Sequence, residues 1–342
     1  MTTNPIPERS FIINDSTQLV ITRKIAEGGM GAVYEARQIG VEGFEKTVAI
    51  KTMSDNLTHA RKQYAELFIA EAKLVADLVH ENIVQIYQLG RSSSGYYIVM
   101  EYVHGLSLAQ FIDHHRTLNL PLAVELAVHI ISRIARGLAY AHQRQDAAGV
   151  PLEIVHRDVC PNNILITTEG LPKLADFGVA KVTKRLVLGD GSFVGKLLYM
   201  APEQALKQHV DFRADMYSLG AVLFELLTFE TIRPAEINFR AADAREWVAQ
   251  PIPWHFLPQG LSGDLAAILN KMLAFTPGDR YQDTDHLARD LEYFIYKDGY
   301  GPTIQTMEEY LRRHFHYLYA IDPERLAPGL NTQITLVKSF LS

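Results

Sequence analysis

Along the first hundred residues, apolar and polar positions mostly alternate. QLVITRKIAEGG, GAVYEARQI and KTVAIKTM are β-branched or alternating and are punctuated by glycine, which predicts half-buried strands. YAELFIAEAKLVADLV then places Leu67, Ala70, Leu74 and Leu78 at helical spacing. ENIVQIYQLG and GYYIVMEYV return to strand, with SSSG between them as a hairpin turn. After His104 and Gly105 the period changes. AVELAVHIISRIARGLAYAHQ predicts a long, mostly buried helix, and DMYSLGAVLFELLTF and LAAILNKMLAF predict two more apolar helices. Asp113, His114 and His115 read as a surface loop or a helix end.

Beyond Gly301 a further helix is predicted. Thr306 and Glu309 form a capping-box pattern, and Met307, Tyr310, Leu311, Phe315 and Leu318 share one face. That face suits packing on the preceding helices, or pairing with a partner or a second copy of the chain. A strand-rich first third before a helix-rich remainder predicts an α+β fold with two lobes, a small β-rich one and a larger helical one. The expected segments are an N-terminal arm at 1–18, a first lobe at 19–103, a second lobe at 104–300 and a C-terminal helical extension at 301–342.

Composition narrows the function classes. The net charge of −6 over 342 residues gives no general affinity for nucleic acid or anionic membrane. A single cysteine excludes an internal disulfide and a CxxC metal site. The start, MTTNPIPERS, lacks the basic-then-apolar pattern of a signal peptide. The longest apolar run, near LGAVLFELLTF, is interrupted by Glu225 and is too short to span a bilayer. These features predict a cytoplasmic chain. Its thirteen histidines show no HExxH spacing.

The chemistry lies in a series of motifs. In IAEGGMGAVYEA, Gly28 and Gly31 sit between two predicted strands, with Val33 following. Such glycines let backbone amides approach phosphate oxygens, although a tight hairpin alone would use the same residues. Lys51 ends the strand VAIK and could reach those oxygens; Glu71 on the next helix could hold its ammonium. Taken singly, both are ordinary surface charges. IVHRDVCPNNILI is far more specific. Asp158 could accept or orient a hydroxyl proton, and Asn163 could ligate a hard cation through its carbonyl oxygen. LADFGVA adds Asp176 as a second oxygen ligand, and YMAPEQ follows.

Together and in this order, these motifs resemble the eukaryotic-type protein kinase superfamily, and within it the bacterial Ser/Thr protein kinases. The resemblance spans roughly residues 19 to 300. It implies a two-lobed kinase fold with Mg-ATP bound between the lobes, Mn2+ being an alternative metal. Ile25, Gly28, Gly31, Val33, Ala49, Lys51, Met100, Glu101, Val103 and Leu165 would bind the nucleotide. Lys51 would pair with Glu71, Asn163 and Asp176 would hold the metal, and Asp158 would be the catalytic base. Glu203 would pair with Arg280, Asp215 would brace the catalytic loop, and His156 and Phe177 would pack as spine residues. The implied partners are protein substrates, the chain itself among them, with dimerisation open.

Three positions depart from the family pattern. Ala26 stands at the first loop glycine. Cys160 replaces the catalytic-loop lysine, and Lys196 stands where that lysine's threonine partner is expected. A positional exchange would place the Lys196 ammonium over Cys160, near the transferred phosphoryl group. The same loss leaves a second reading, a pseudokinase scaffold or nucleotide-binding regulatory module. Arg157 precedes the catalytic Asp and could anchor a phosphate on Thr183 or Ser192 of the activation segment.

Overall fold

The computed structural model describes residues 10–14, 17–28, 31–53, 69, 72–73, 75–92, 95–177, 198–233, 246 and 248–320, and the structure below is that of these residues. Six strands form one antiparallel sheet in the order β1-β2-β3-β4-β6-β5. They are β1 Ser10–Asn14, β2 Thr17–Gly28, β3 Gly31–Ile39, β4 Glu45–Met53, β5 Ile86–Ser92 and β6 Gly95–Glu101. β1 lies inside the segment read as an arm and pairs with β2, Phe11 opposite Leu19. The alternation seen in the sequence sorts the faces. Leu19, Ile21, Val48, Ile50, Tyr97 and Val99 bury one side of the sheet. Ala49 and Met100, paired across β4 and β6, fall on the other.

A second sheet of three short strands follows: β7 Gly105–Ser107, β8 Ile164–Thr167 and β9 Pro172–Leu174. The remainder is helical: α1 Leu108–Leu118, α2 Val124–His142, α3 Pro202–Ala205, α4 Arg213–Thr228, α5 Gly263–Met272, α6 Thr284–Tyr296 and α7 Ile304–His314. In α4 every residue from Ala214 to Leu227 is buried. A helix covered on all sides is the centre of a lobe, so its polar residues, Asp215, Ser218 and Glu225, need internal partners.

Helix α7 begins earlier than the capping pattern predicts. Its N-cap is Thr303, whose side chain accepts from the Thr306 amide at 3.2 Å, and the Thr306 hydroxyl accepts from the Thr303 amide at 3.1 Å. Thr306 therefore plays the part assigned to Glu309. Met307, Leu311 and Phe315 are fully buried, so the predicted apolar face packs on the helical lobe. Residues 113–115 form the C-terminal part of α1 rather than a loop, with Asp113 exposed and His115, in the last turn, fully buried. Its Nδ1 bonds Phe111 O at 2.9 Å and its Nε2 bonds Tyr310 Oη at 2.7 Å. An imidazole surrounded by rings from α1 and α7 is satisfied in place without reaching water. The turn between β8 and β9 meets α7 as well. Gly170 has φ +85, and a Cβ there would lie 2.3 Å from Ile304 O, so only glycine fits.

One buried base has no such provision. His129 of α2 is 1% exposed, and neither ring nitrogen has a hydrogen-bond partner among the described residues. Burial, with Arg133 adding to it and Glu292 opposing, lowers its pKa from 6.5 to about 4. Between those values the unfolded chain binds a proton that the folded chain does not, so stability is full above about pH 6.5 and falls toward pH 4. His129→Leu, similar in volume, removes that penalty. Denaturant titrations should show it raising stability clearly more at pH 5 than at pH 8, by about 1–2 kcal/mol at the lower pH.

Candidate active site

The segment between α2 and β8 is anchored from below. Ile154, Val155, Val159 and Cys160 are buried, which draws the backbone onto the helices. Arg157 has φ 67, the left-handed region that costs a residue with a side chain about 1–2 kcal/mol. Asp215 holds it there. Its Oδ1 accepts the Arg157 amide at 2.6 Å, and its Oδ2 accepts the His156 amide at 2.7 Å and His142 Nε2 at 2.9 Å. The His156 ring is fully engaged. Nε2 donates to Ala175 O at 2.9 Å, Nδ1 accepts the Asp158 amide at 3.2 Å, and the ring sits edge-on to Phe177 at 4.6 Å. With both ring nitrogens hydrogen-bonded, His156 serves as a structural brace.

Asp158 then faces Asn163, whose Nδ2 donates to Asp158 O at 2.8 Å and Oδ2 at 3.1 Å. These bonds turn the Asn163 carbonyl oxygen away from Asp158. The Ala175 amide donates to Asn163 O at 2.8 Å, tying this loop to the chain leaving β9. Next comes Asp176, with φ 59, whose Oδ1 accepts Lys51 Nζ at 2.9 Å. Lys51 stands on β4 opposite Val33 of β3, so this contact joins the first lobe to the second. Asn163 and Asp176 supply neutral and anionic oxygen donors. This set fits Mg2+, which takes few protein ligands and completes its shell with phosphate oxygens and water. Among the described residues no cluster of three or more His, Cys, Asp or Glu forms a closed metal cage.

Above these groups, Gly28 pairs with Gly31 at the end of the β2–β3 hairpin. A Cβ on Gly31 would lie 1.8 Å from Thr52 O of β4, so packing against that strand itself demands this glycine. Ala49 is buried, while Val33, Met100, Val103 and Leu165 are half-buried and Ile25 is exposed. The Glu101 amide donates to Gln85 O at 2.8 Å. Glu71, Thr183, Ser192 and Lys196 lie outside the described residues.

Flanking the site, Glu203 and Arg280 form a buried bidentate pair at 2.7 and 2.8 Å. Cys160 is buried in the main core cluster, which also contains Tyr199. Four connections were missed from sequence. Tyr199 donates to Glu225 Oε2 at 2.6 Å, and Arg116 donates to Glu225 Oε1 at 3.2 Å. Burial raises the Glu225 pKa against the pull of Tyr199 and Arg116. A lone carboxylate inside LGAVLFELLTF was the available signal, since a buried acid must find donors. Lys173 on β9 pairs with Glu101 at 2.9 Å, and His142 supports Asp215. Neither showed a sequence pattern.

A family model for the protein kinase domain matches residues 19–291. The tyrosine-protein kinase MasK of Myxococcus xanthus is 39% identical over 323 residues, covering 92% of this chain and 49% of that protein. The serine/threonine-protein kinase PrkC of Bacillus subtilis is 34% identical over 299 residues, covering 84% of this chain and 42% of that protein. PknB of Mycobacterium leprae, also a serine/threonine-protein kinase, is 34% identical over 272 residues, covering 77% and 41%. The chain thus spans about half the length, or less, of these curated relatives. A match over 92% of the chain cannot stop at residue 291, so the similarity to MasK reaches into α7. The solved kinase domain of Mycobacterium tuberculosis PknI superposes with a TM-score of 0.60 at 25% identity, covering 80% of this chain and 95% of that one. No helix among the described residues is long and apolar enough to cross a membrane. By the family match and the shared two-lobed fold, the chain belongs to the protein kinase domain family.

Proposed function

We propose that the chain transfers the γ-phosphoryl group of Mg-ATP to serine and threonine hydroxyls of proteins, itself included. The observation that carries this reading is the Lys51–Asp176 contact beside the Asp158–Asn163 pair, four groups this transfer needs, on two sides of one cleft. Phosphoryl transfer asks chiefly for positioning and charge neutralisation. Adenine would lie between Val33, Ala49 and Leu165 with Met100 behind it, its edge at the Glu101 carbonyl and Val103 backbone, and Ile25 over it. Gly28 and Gly31 would cover the phosphates, and Lys51, held by Glu71, would contact them. Asn163 and Asp176 would hold Mg2+, or Mn2+, which neutralises charge on the phosphate oxygens. Asp158 orients the incoming hydroxyl and accepts its proton.

Lys196 would supply the ammonium missing at Cys160, whose small buried side chain takes up little room beneath it. Autophosphorylation at Ser192 or Thr183 is supported by Arg157. Its Nε is buried with no partner among the described residues, and burial lowers its pKa, so a nearby phosphate dianion would satisfy it. Tyrosine is the second reading for the acceptor. It is favoured by the similarity to MasK, whose name declares that activity, and by the absence of the loop lysine at Cys160.

Labelled ATP should phosphorylate wild-type protein, and Asp158→Asn should reduce the rate about 10²–10⁴-fold. A rate unaffected by that substitution would remove Asp158 from the chemistry. Phosphoamino-acid analysis should give phosphoserine or phosphothreonine; phosphotyrosine alone would establish the second reading. Lys196→Ala should lower kcat about 10²-fold, and full turnover in the folded variant would end the exchange model. Mass spectrometry of active enzyme should find phosphate on Ser192 or Thr183, and its absence from both would defeat that assignment.

A further inference from the structure

The hinge after β6 is not the only joint between the lobes. Residues 82–85 run along β9. The Leu174 amide donates to Asn82 O at 2.8 Å, the Val84 amide to Leu174 O at 2.9 Å, and Asn82 Nδ2 to Pro172 O at 2.8 Å. The same segment is bonded to the end of β6 twice. Glu101 N donates to Gln85 O at 2.8 Å, and Gln85 N donates to Glu101 Oε2 at 3.2 Å. Lys173 closes the triangle, its Nζ 2.9 Å from Glu101 Oε1 and 3.1 Å from Oε2. The two side chains are 11% and 24% exposed, so solvent screens their attraction less than it screens a surface pair.

The two ends of this ion pair lead to different parts of the cleft. Glu101 is the residue whose carbonyl would meet an adenine edge. Lys173 lies on the strand that runs into Asp176, the metal ligand that also holds Lys51. We propose that Glu101 and Lys173 are positioning residues that fix the distance between the adenine edge and Asp176, and so set the affinity for nucleotide. The carboxylate does this through Gln85 as well as Lys173, so neither joint can slide without stretching the other. The inference rests on the nucleotide reading of the cleft.

The test uses Glu101→Gln, Lys173→Met and their combination. Lys297→Met, which removes an exposed pair with Asp264 of the same 2.9 Å length, serves as the control. Each single variant should raise the KM for ATP, and the dissociation constant of a non-hydrolysable ATP analogue, about tenfold. Their kcat should change far less and the KM for a peptide acceptor should stay put. The double variant should be no worse than the poorer single, and the exchanged pair Glu101→Lys with Lys173→Glu should recover part of the lost affinity. Should Lys173→Met not fold, the isosteric Glu101→Gln still carries the measurement. A lower Tm with unchanged nucleotide affinity would reduce the pair to a structural role, and multiplying effects in the double variant would show two independent residues; either overturns the proposal. A wild-type protein that fails to bind the analogue would instead overturn the nucleotide reading itself.

Discussion

A single carboxylate underlies the geometry of the site. Asp215 is fully buried in the central helix α4, where an unpaired charge would cost several kcal/mol. Its three donors are the amides of His156 and Arg157 and the imidazole of His142. Because consecutive amides must point at one carboxylate, Arg157 is forced into the left-handed region, and the turn that results aims Asp158 at Asn163. His142 in turn bonds Thr284 Oγ1 at 2.8 Å, so helices α2, α4 and α6 meet beneath the loop. The strain at Arg157 is local; the structure that tolerates it is the whole helical lobe.

How much of this was legible follows from the range of the signal. Strands β2 to β6 showed in alternation, and α4 showed in its continuous apolar run, because both patterns repeat within a few residues. Asp158, Asn163 and Asp176 were legible because their motifs are compact, and Asp215 only through the resemblance. What stayed hidden were partners. Lys173 sits 72 positions from Glu101, and His115 sits 195 positions from Tyr310. A lysine on the short strand PKL and a histidine beside another histidine both look solvated until the fold supplies a neighbour. The start of α7 was missed for a smaller reason: threonine at the third helical position can return the capping bond that glutamate was expected to make.

The C-terminal extension belongs to the same construction. Phe315 stacks on Phe111 at 5.2 Å, and Tyr319 donates to Thr168 O at 2.6 Å, while the Thr168 amide donates to His104 O at 2.7 Å. The His104 ring lies edge-on to Tyr102 at 4.5 Å, and Tyr102 accepts from Arg23 of β2 at 2.8 Å. A continuous set of contacts thus runs from the extension, past the hinge, to the strand leading into the glycine loop. Truncating the extension therefore uncovers Phe111 and His115 and also removes a support from the segment that joins the lobes.

Several buried charges among the described residues of the helical lobe hold loops or the ends of elements. Arg280 spends all five N–H donors, two on Glu203 and three on the carbonyls of Arg213, Ala274 and Phe275. Glu225 holds the Tyr199 segment, and Lys173 holds the end of β6. Apolar residues of similar volume could replace such pairs with little loss of stability, and sometimes a gain. Stability therefore does not account for charges many of whose bonds fall on loops or on the ends of helices and strands. Direction does, because apolar packing places a helix to within a rotation and leaves a loop free to wander, whereas two or three bonds to a fixed carboxylate or guanidinium leave it one conformation. Aligning a hydroxyl with a phosphorus atom needs that narrower tolerance.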